Sequence, residues 1–167
     1  MKSVPITLDG PMLEGVLGWM TDEQAGAARV EVLTAGQQLD AVAERLQGRV
    51  GWHGQGLEMH WMPSGQLSIW GSVEAGLDGS GMVAFIVELR PSWYFGVRKG
   101  SPGWEIGVDV EADCQHSPDH GSMHTVFDWT RSATSLEDAI ACLGEAMALL
   151  GDLARRPLAD WVAQGGT

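Results

Sequence analysis

Residues 113–124 hold Asp113, Cys114, His116, Asp119, His120 and His124, the densest group of potential metal ligands in the chain. Zinc takes thiolate, imidazole and carboxylate, and three such ligands plus a water would make a hydrolytic centre. The Cys-x-His-x3-His-x3-His spacing, however, follows no familiar zinc pattern. Pro118 and Gly121 also work against the continuous helix that would bring the imidazoles onto one face. A polar loop between two strands accounts for the same residues, so no metal ligand and no cofactor is assigned. A metal-dependent enzyme built on 113–124 is kept as an alternative.

The second concentration of reactive groups lies just before it. Residues 104–113 read Trp-Glu-Ile-Gly-Val-Asp-Val-Glu-Ala-Asp. Apolar side chains fall on Trp104, Ile106, Val108, Val110 and Ala112, while Glu105, Asp109, Glu111 and Asp113 alternate with them. A strand sends successive side chains to opposite faces, so this pattern predicts a half-buried strand with one apolar and one acidic face. Carboxylates crowded on one sheet face repel one another. A solvated outer face would tolerate them; a surface for a cationic partner would use them; a divalent cation could also take their oxygens.

Other chemistries lack support. No G-x-S-x-G elbow is present, and neither Cys114 nor Cys142 sits in a recognisable catalytic setting. Cys142 reads as a small packing residue in the last helix, and Cys114 continues the inward register of its strand. Gly54-Gln55-Gly56 and Gly79-Ser80-Gly81 are turns; neither extends to a dinucleotide fingerprint nor opens a helix. Residues 90–103 carry Trp93, Tyr94, Phe95, Arg98 and Lys99. Aromatics beside cations are typical of binding hot spots, although they would equally cap one end of a core.

Charge narrows the partners. The formal net charge is -12, and the isoelectric point is about 4.6. Phosphate recognition needs clustered Lys and Arg, so nucleic acid is excluded as an expected partner, and an anionic membrane with it. Basic proteins and cationic ligands remain. Residues 1–10 show no apolar run after Lys2, and no stretch approaches about 18 uncharged apolar residues, so a cytoplasmic protein is expected. Its two cysteines are then thiols by default, with a bridge left open. The chain has 23 Gly and 8 Trp among 167 residues, which suggests turns and wide β surfaces rather than disorder.

Single-domain length is expected to suffice for a sizeable core. Residues 4–8 look like a short edge strand, since Pro5 cannot donate to a ladder. Asp9-Gly10-Pro11 is a turn signal. Residues 12–20 lean to strand because Gly15 and Gly18 weaken a helix, and residues 28–33 alternate as a strand. A helix is predicted from Thr34, with Gln37 in capping-box position, the stripe Leu39, Val42, Ala43, Leu46 and a stop at Gly48. A meander follows: residues 57–61, a turn at Pro63-Ser64-Gly65, then residues 67–74, with Trp70, Ser72 and Glu74 facing away from Ile69, Gly71 and Val73. A turn over 76–81 leads to residues 82–89, apolar on both faces until Glu88, which marks a central strand. Residues 124–129 form another strand, with Thr125, Phe127 and Trp129 on one side.

The last helix starts at a Thr134/Glu137 capping box and runs along Leu136, Ile140, Leu143, Met147, Leu150 and Ala154 to a stop at Pro157. Gly144 and Gly151 lie two turns apart and suggest close packing against a neighbour. A final turn carries Leu158, Trp161 and Val162. The expected class is therefore α+β: a curved, mostly antiparallel sheet of about six to eight strands with two main helices on one face. Trp70 and Glu74 would lie on the other face, with the carboxylates of residues 104–113.

The order Leu39-x-x-Val42-x-x-x-Leu46, Trp52-x-Gly54, Leu67-x-Ile69, Val87-x-Leu89-Arg90, the Trp104-to-Asp113 strand and Ser135-Leu136-Glu137 resembles small acidic bacterial immunity proteins of polymorphic or contact-dependent toxin systems. That resemblance implies a cytoplasmic, non-catalytic protein that binds one cognate toxin and blocks its active site or substrate access. The surface expected to bind such a toxin, or another basic protein, comprises Glu105, Asp109, Glu111, Asp113, Trp70, Glu74, Trp93 and Tyr94. A small-ligand or structural accessory module using the tryptophan-rich face is a further alternative.

Overall fold

The computed structural model describes residues 22–50, 58–61, 67–77, 81–91, 103–113 and 123–165. Helix α1 (Asp22–Leu46) leads into the short strands β1 (Arg49–Val50) and β2 (Glu58–Trp61). Four long strands follow: β3 (Leu67–Leu77), β4 (Gly81–Pro91), β5 (Trp104–Asp113) and β6 (Met123–Ala133). The described chain closes with helices α2 (Leu136–Ala141), α3 (Leu143–Leu153) and α4 (Leu158–Gly165).

Every strand pairing is antiparallel, and β3-β4-β5-β6 run in sequence order. Connections short enough to be hairpins make neighbours in sequence neighbours in space. The class is α+β, as expected, but the expected six to eight strands are not supported. The body of the sheet is these four long strands. β1 and β2 are pieces of two and four residues that take up the far edge of β3.

One face of the sheet carries the core. Val73, Phe85 and Val110 line up across three strands, as do Val83 with Ala112 and Leu89 with Ile106. Helices cover this face through Val32, Ala35, Leu39, Val42 and Ala43 of α1 and Leu143, Ala146, Met147 and Leu150 of α3. Trp161 of α4 meets Phe85 edge-on, with ring centroids 6.3 Å apart. Its indole N–H donates to the Leu153 carbonyl at 3.3 Å, and the Arg156 guanidinium lies 4.0 Å from its ring centroid. Burying a large aromatic is favourable provided its polar end finds a partner, and Trp161 has one.

Residues 28–33 are helical, not a strand. The alternation there is real, but the buried stripe Val32, Ala35, Leu39, Val42 and Ala43 has helical spacing and starts upstream of Thr34. Thr34 is therefore inside the helix and caps nothing. The helical path leaves Val30 61 % exposed, whereas the strand reading, with Arg29 and Glu31 outward, would have turned it inward. At the other end, Gln47 adopts the left-handed conformation (φ 51). Its N–H donates to Glu44 O at 3.2 Å and the Gly48 N–H to Ala43 O at 2.9 Å, a Schellman stop. Gly48 is required for another reason: a Cβ there would sit 2.5 Å from the Glu74 carbonyl oxygen.

The C-terminal helix also departs from expectation. Ser135, not Thr134, is the N-cap, and its Oγ accepts the Asp138 N–H at 3.1 Å. Thr134 instead donates to the Asp138 carboxylate at 3.0 Å. The helix is interrupted at Cys142, which separates α2 from α3. The buried stripe Ile140, Leu143, Met147, Leu150 and Ala154 matches the predicted spacing. Gly144 and Gly151 do not mark a close approach: a Cβ added at either would meet no neighbouring atom within 4 Å. Gly76, Leu77 and Gly81 belong to β3 and β4, so the turn over 76–81 is shorter than predicted. The expected strands at 4–8 and 12–20, the turn at 63–65 and the aromatic loop from Ser92 onward lie outside the described residues.

Candidate functional site

The face of the sheet away from the helices is built by the alternate residues of each strand. Register places Trp70, Glu88, Gly107 and Thr130 in one row across β3 to β6. Ser72, Ile86, Asp109 and Asp128 form the next, and Glu74, Ala84, Glu111 and Thr125 the one after. Arg90 is opposite Glu105 on the same face, and Asp113, two residues beyond Glu111, joins them there beside Met123. Arg49 of β1 occupies the register position beside Glu74. The strand pleat thus gathers Glu74, Glu88, Glu105, Asp109, Glu111, Asp113 and Asp128 onto one surface.

Arg90 on this surface is already engaged. Arg90, with its side chain 16 % exposed, donates to Glu88 at 2.7 Å and lies 3.8 Å from Glu105. Those two carboxylates are thereby compensated. Asp113 accepts the Met82 backbone N–H at 2.8 Å and so fixes the start of β4 against the end of β5. Asp109 and Asp128 face each other directly across β5 and β6. Like charges in that position repel. Asp109 is half-buried, and burial pushes its carboxyl up to about 6; Arg90 pulls the other way, while Asp128, Glu88 and Glu111 push it further. Burial also raises Glu111.

The face is not uniformly open. Ser72 is 0 % and Glu74 6 % exposed, and Ala84 is buried as well, so the β3–β4 side is covered. The Ser72 hydroxyl finds no hydrogen-bond partner among the described residues. The accessible carboxylates are those on the β5–β6 side: Asp109, Glu111 and Asp113, half-buried, and Asp128, exposed. What this arrangement can do is hold a dense negative field beside an open flank, with its most strained pair, Asp109 and Asp128, next to that flank.

Of the residues expected to bind a partner, Glu105, Asp109, Glu111, Asp113, Trp70 and Glu74 all lie on this one face. Trp93 and Tyr94 lie outside the described residues. Sequence reasoning placed Arg90 in a loop, whereas it belongs to β4; neither Glu88 nor Asp128 was expected among the partner-binding residues. Asp128 was findable, because alternation with Phe127 and Trp129 already turned it outward. Thr125 was placed with Phe127 and Trp129, but it lies on the acidic face. The irregularity between Val110 and Glu111, where Val126 is the extra residue on β6, reverses the alternation there.

The Cys/His cluster is represented only by its ends. Asp113 is on the acidic face, whereas His124 takes the register position of Ala112 on the opposite face. These two do not converge on one point. Among the described residues no group of three or more His, Cys, Asp or Glu is placed to hold a metal ion. No described helix is long and apolar enough to cross a membrane, which leaves strands unaddressed. Comparison of the chain with protein-family models, with curated proteins and with solved structures found no match.

Proposed function

We propose that this is a non-catalytic binding protein whose acidic sheet face captures a basic protein, and that its partner is a cognate toxin neutralised in the cytoplasm. The observation that carries this reading is the convergence of Glu111, Asp109 and Asp128 on the accessible β5–β6 side, with Arg90 already committed to Glu88 and Glu105. A net negative surface on a rigid sheet attracts a positive cleft from a distance and sets orientation before contact. A lysine or arginine arriving between Asp109 and Asp128 would relieve their mutual repulsion, so the surface gains most from a cationic occupant. The net charge of -12 extends the same field beyond the site.

Affinity capture with the tagged chain from its native extract tests this, followed by expression of the captured protein with and without the chain. The expected captive is basic, toxic alone and harmless when coexpressed. Capture should weaken at least tenfold in the Glu111→Lys/Asp128→Lys double variant and fall with added salt. Both positions are clear of the core, so the variant should fold. Undiminished capture by that variant rules out this surface; a captured protein with no effect on growth rules out the toxin.

A further inference from the structure

Among the described residues, the eleven-residue strand β6 is paired along one side only. Its inner edge is bonded to β5; among the described residues nothing pairs with its outer edge. An exposed row of backbone N–H and C=O groups is a template for another strand, and proteins usually block it with lysine, proline, a bulge or a short strand. The far edge of β3 is taken up by β1 and β2. On β6 the only such device is the extra residue Val126 near one end. Residues 127–133 hold neither lysine nor proline. Arg131, the one cation among them, is drawn to Glu145 on α3.

We propose that a second copy of this chain pairs antiparallel along the outer edge of β6, over residues 127–133, about a two-fold axis at Thr130. Charge selects both the occupant and the register. A chain of net charge -12 resists meeting itself through most of its surface. β6 carries one Asp and one Arg, so it is close to neutral. A two-fold axis perpendicular to the sheet keeps acidic face beside acidic face and core face beside core face.

Only some registers are then open. An axis at Asp128 would oppose two aspartates, and an axis at Arg131 two arginines. An axis at Trp129 stops early, because the pairing soon meets Val126. An axis at Thr130 sets Thr130 against itself and Asp128 against the Ser132 hydroxyl of the second copy. On the core side it sets Trp129 against Arg131 and Phe127 against Ala133. Threonine pairs, an acid facing a hydroxyl and a guanidinium beside an indole are all favourable cross-strand neighbours. Asp128, Thr130, Arg131 and Ser132 are all exposed and open to such contacts. Pairing about a two-fold axis closes on itself, since each copy's β6 edge is used up by the other's. It does not depend on the toxin reading, which concerns the acidic face.

A single ribbon of this length lies below the ~1,600 Å² of a standard interface, so the dissociation constant is expected on the order of micromolar. Sedimentation equilibrium on the full chain is the test. The wild type should pass from monomer to dimer as concentration rises. Thr130→Lys and Thr130→Glu chains should each stay monomeric, because each sets like charges against one another at the axis. Mixing the two should restore a one-to-one dimer, because Lys then faces Glu. A wild type still monomeric at about 1 mM overturns the proposal, since that lies far above micromolar. So does a Thr130→Lys chain that dimerises as well as the wild type. A mixture that stays monomeric overturns the register.

Discussion

Replacing Asp109 by Asn should stabilise the protein at alkaline pH and leave it unchanged at acid pH. The carboxyl is half-buried in the middle of the sheet, opposite Asp128, and its folded-state value is raised from 3.8 to about 6. Because the folded pKa lies above the unfolded one, the native state holds this proton more tightly. The ionised group therefore costs stability, and the cost grows as pH rises from about 4 to about 6, staying constant above that. A shift of about two units corresponds to roughly 3 kcal/mol at most. Solvent at the open flank screens part of it, so a realistic value is about 1 kcal/mol.

Asn keeps the shape and removes the charge. Urea unfolding at pH 8 should show the Asp109→Asn chain about 1 kcal/mol more stable than wild type, or roughly 3 °C higher in Tm for a chain of this size. At pH 3 the two curves should coincide, since the wild-type carboxyl is then protonated in the native state and largely so in the unfolded one. A difference that does not change with pH would refute the electrostatic account and point to packing. A less stable Asn chain at pH 8 would refute it more directly, by showing that the carboxylate is favourably solvated or paired.

Two further outcomes follow from glycines that look alike in sequence. Gly144→Ala and Gly151→Ala should each stabilise the protein by about 1 kcal/mol in urea unfolding, because both lie in α3 and an added Cβ meets nothing within 4 Å. Gly165→Ala should destabilise by about 1–3 kcal/mol, because its Cβ would lie 2.7 Å from the Asp113 carbonyl oxygen and 3.0 Å from the Ala112 Cβ, forcing α4 off β5.

These glycines mark a limit of sequence reading. Spacing alone suggested that Gly144 and Gly151 faced a close neighbour, yet it is Gly48 and Gly165, near the ends of helices, that touch a strand. Propensity is local and visible in the sequence; the distance to the next element is not. The acidic strand was legible because two-residue alternation is a direct consequence of the pleat, and Glu105, Asp109, Glu111 and Asp113 could go nowhere but one face. Residues 28–33 misled for the same reason in reverse. A short alternating run is compatible with a helix whose buried stripe begins at Val32, and only the packing of α1 on the sheet distinguishes the two.

What the amino-acid order determined by itself was the alternation of β3 and β5, the apolar stripes of α1 and α3, and the sign of the surface. These depend on neighbours in sequence and on residue type. What the tertiary structure decided was which carboxylates share a neighbourhood. Arg90 joined Glu88 and Glu105, Asp109 met Asp128, and Asp113 and His124 were sent to opposite faces. Strand register controls all three, and it is settled by the whole sheet at once. An extra residue such as Val126 changes which face the residues beyond it occupy, so the meeting of distant side chains cannot be counted out along the chain.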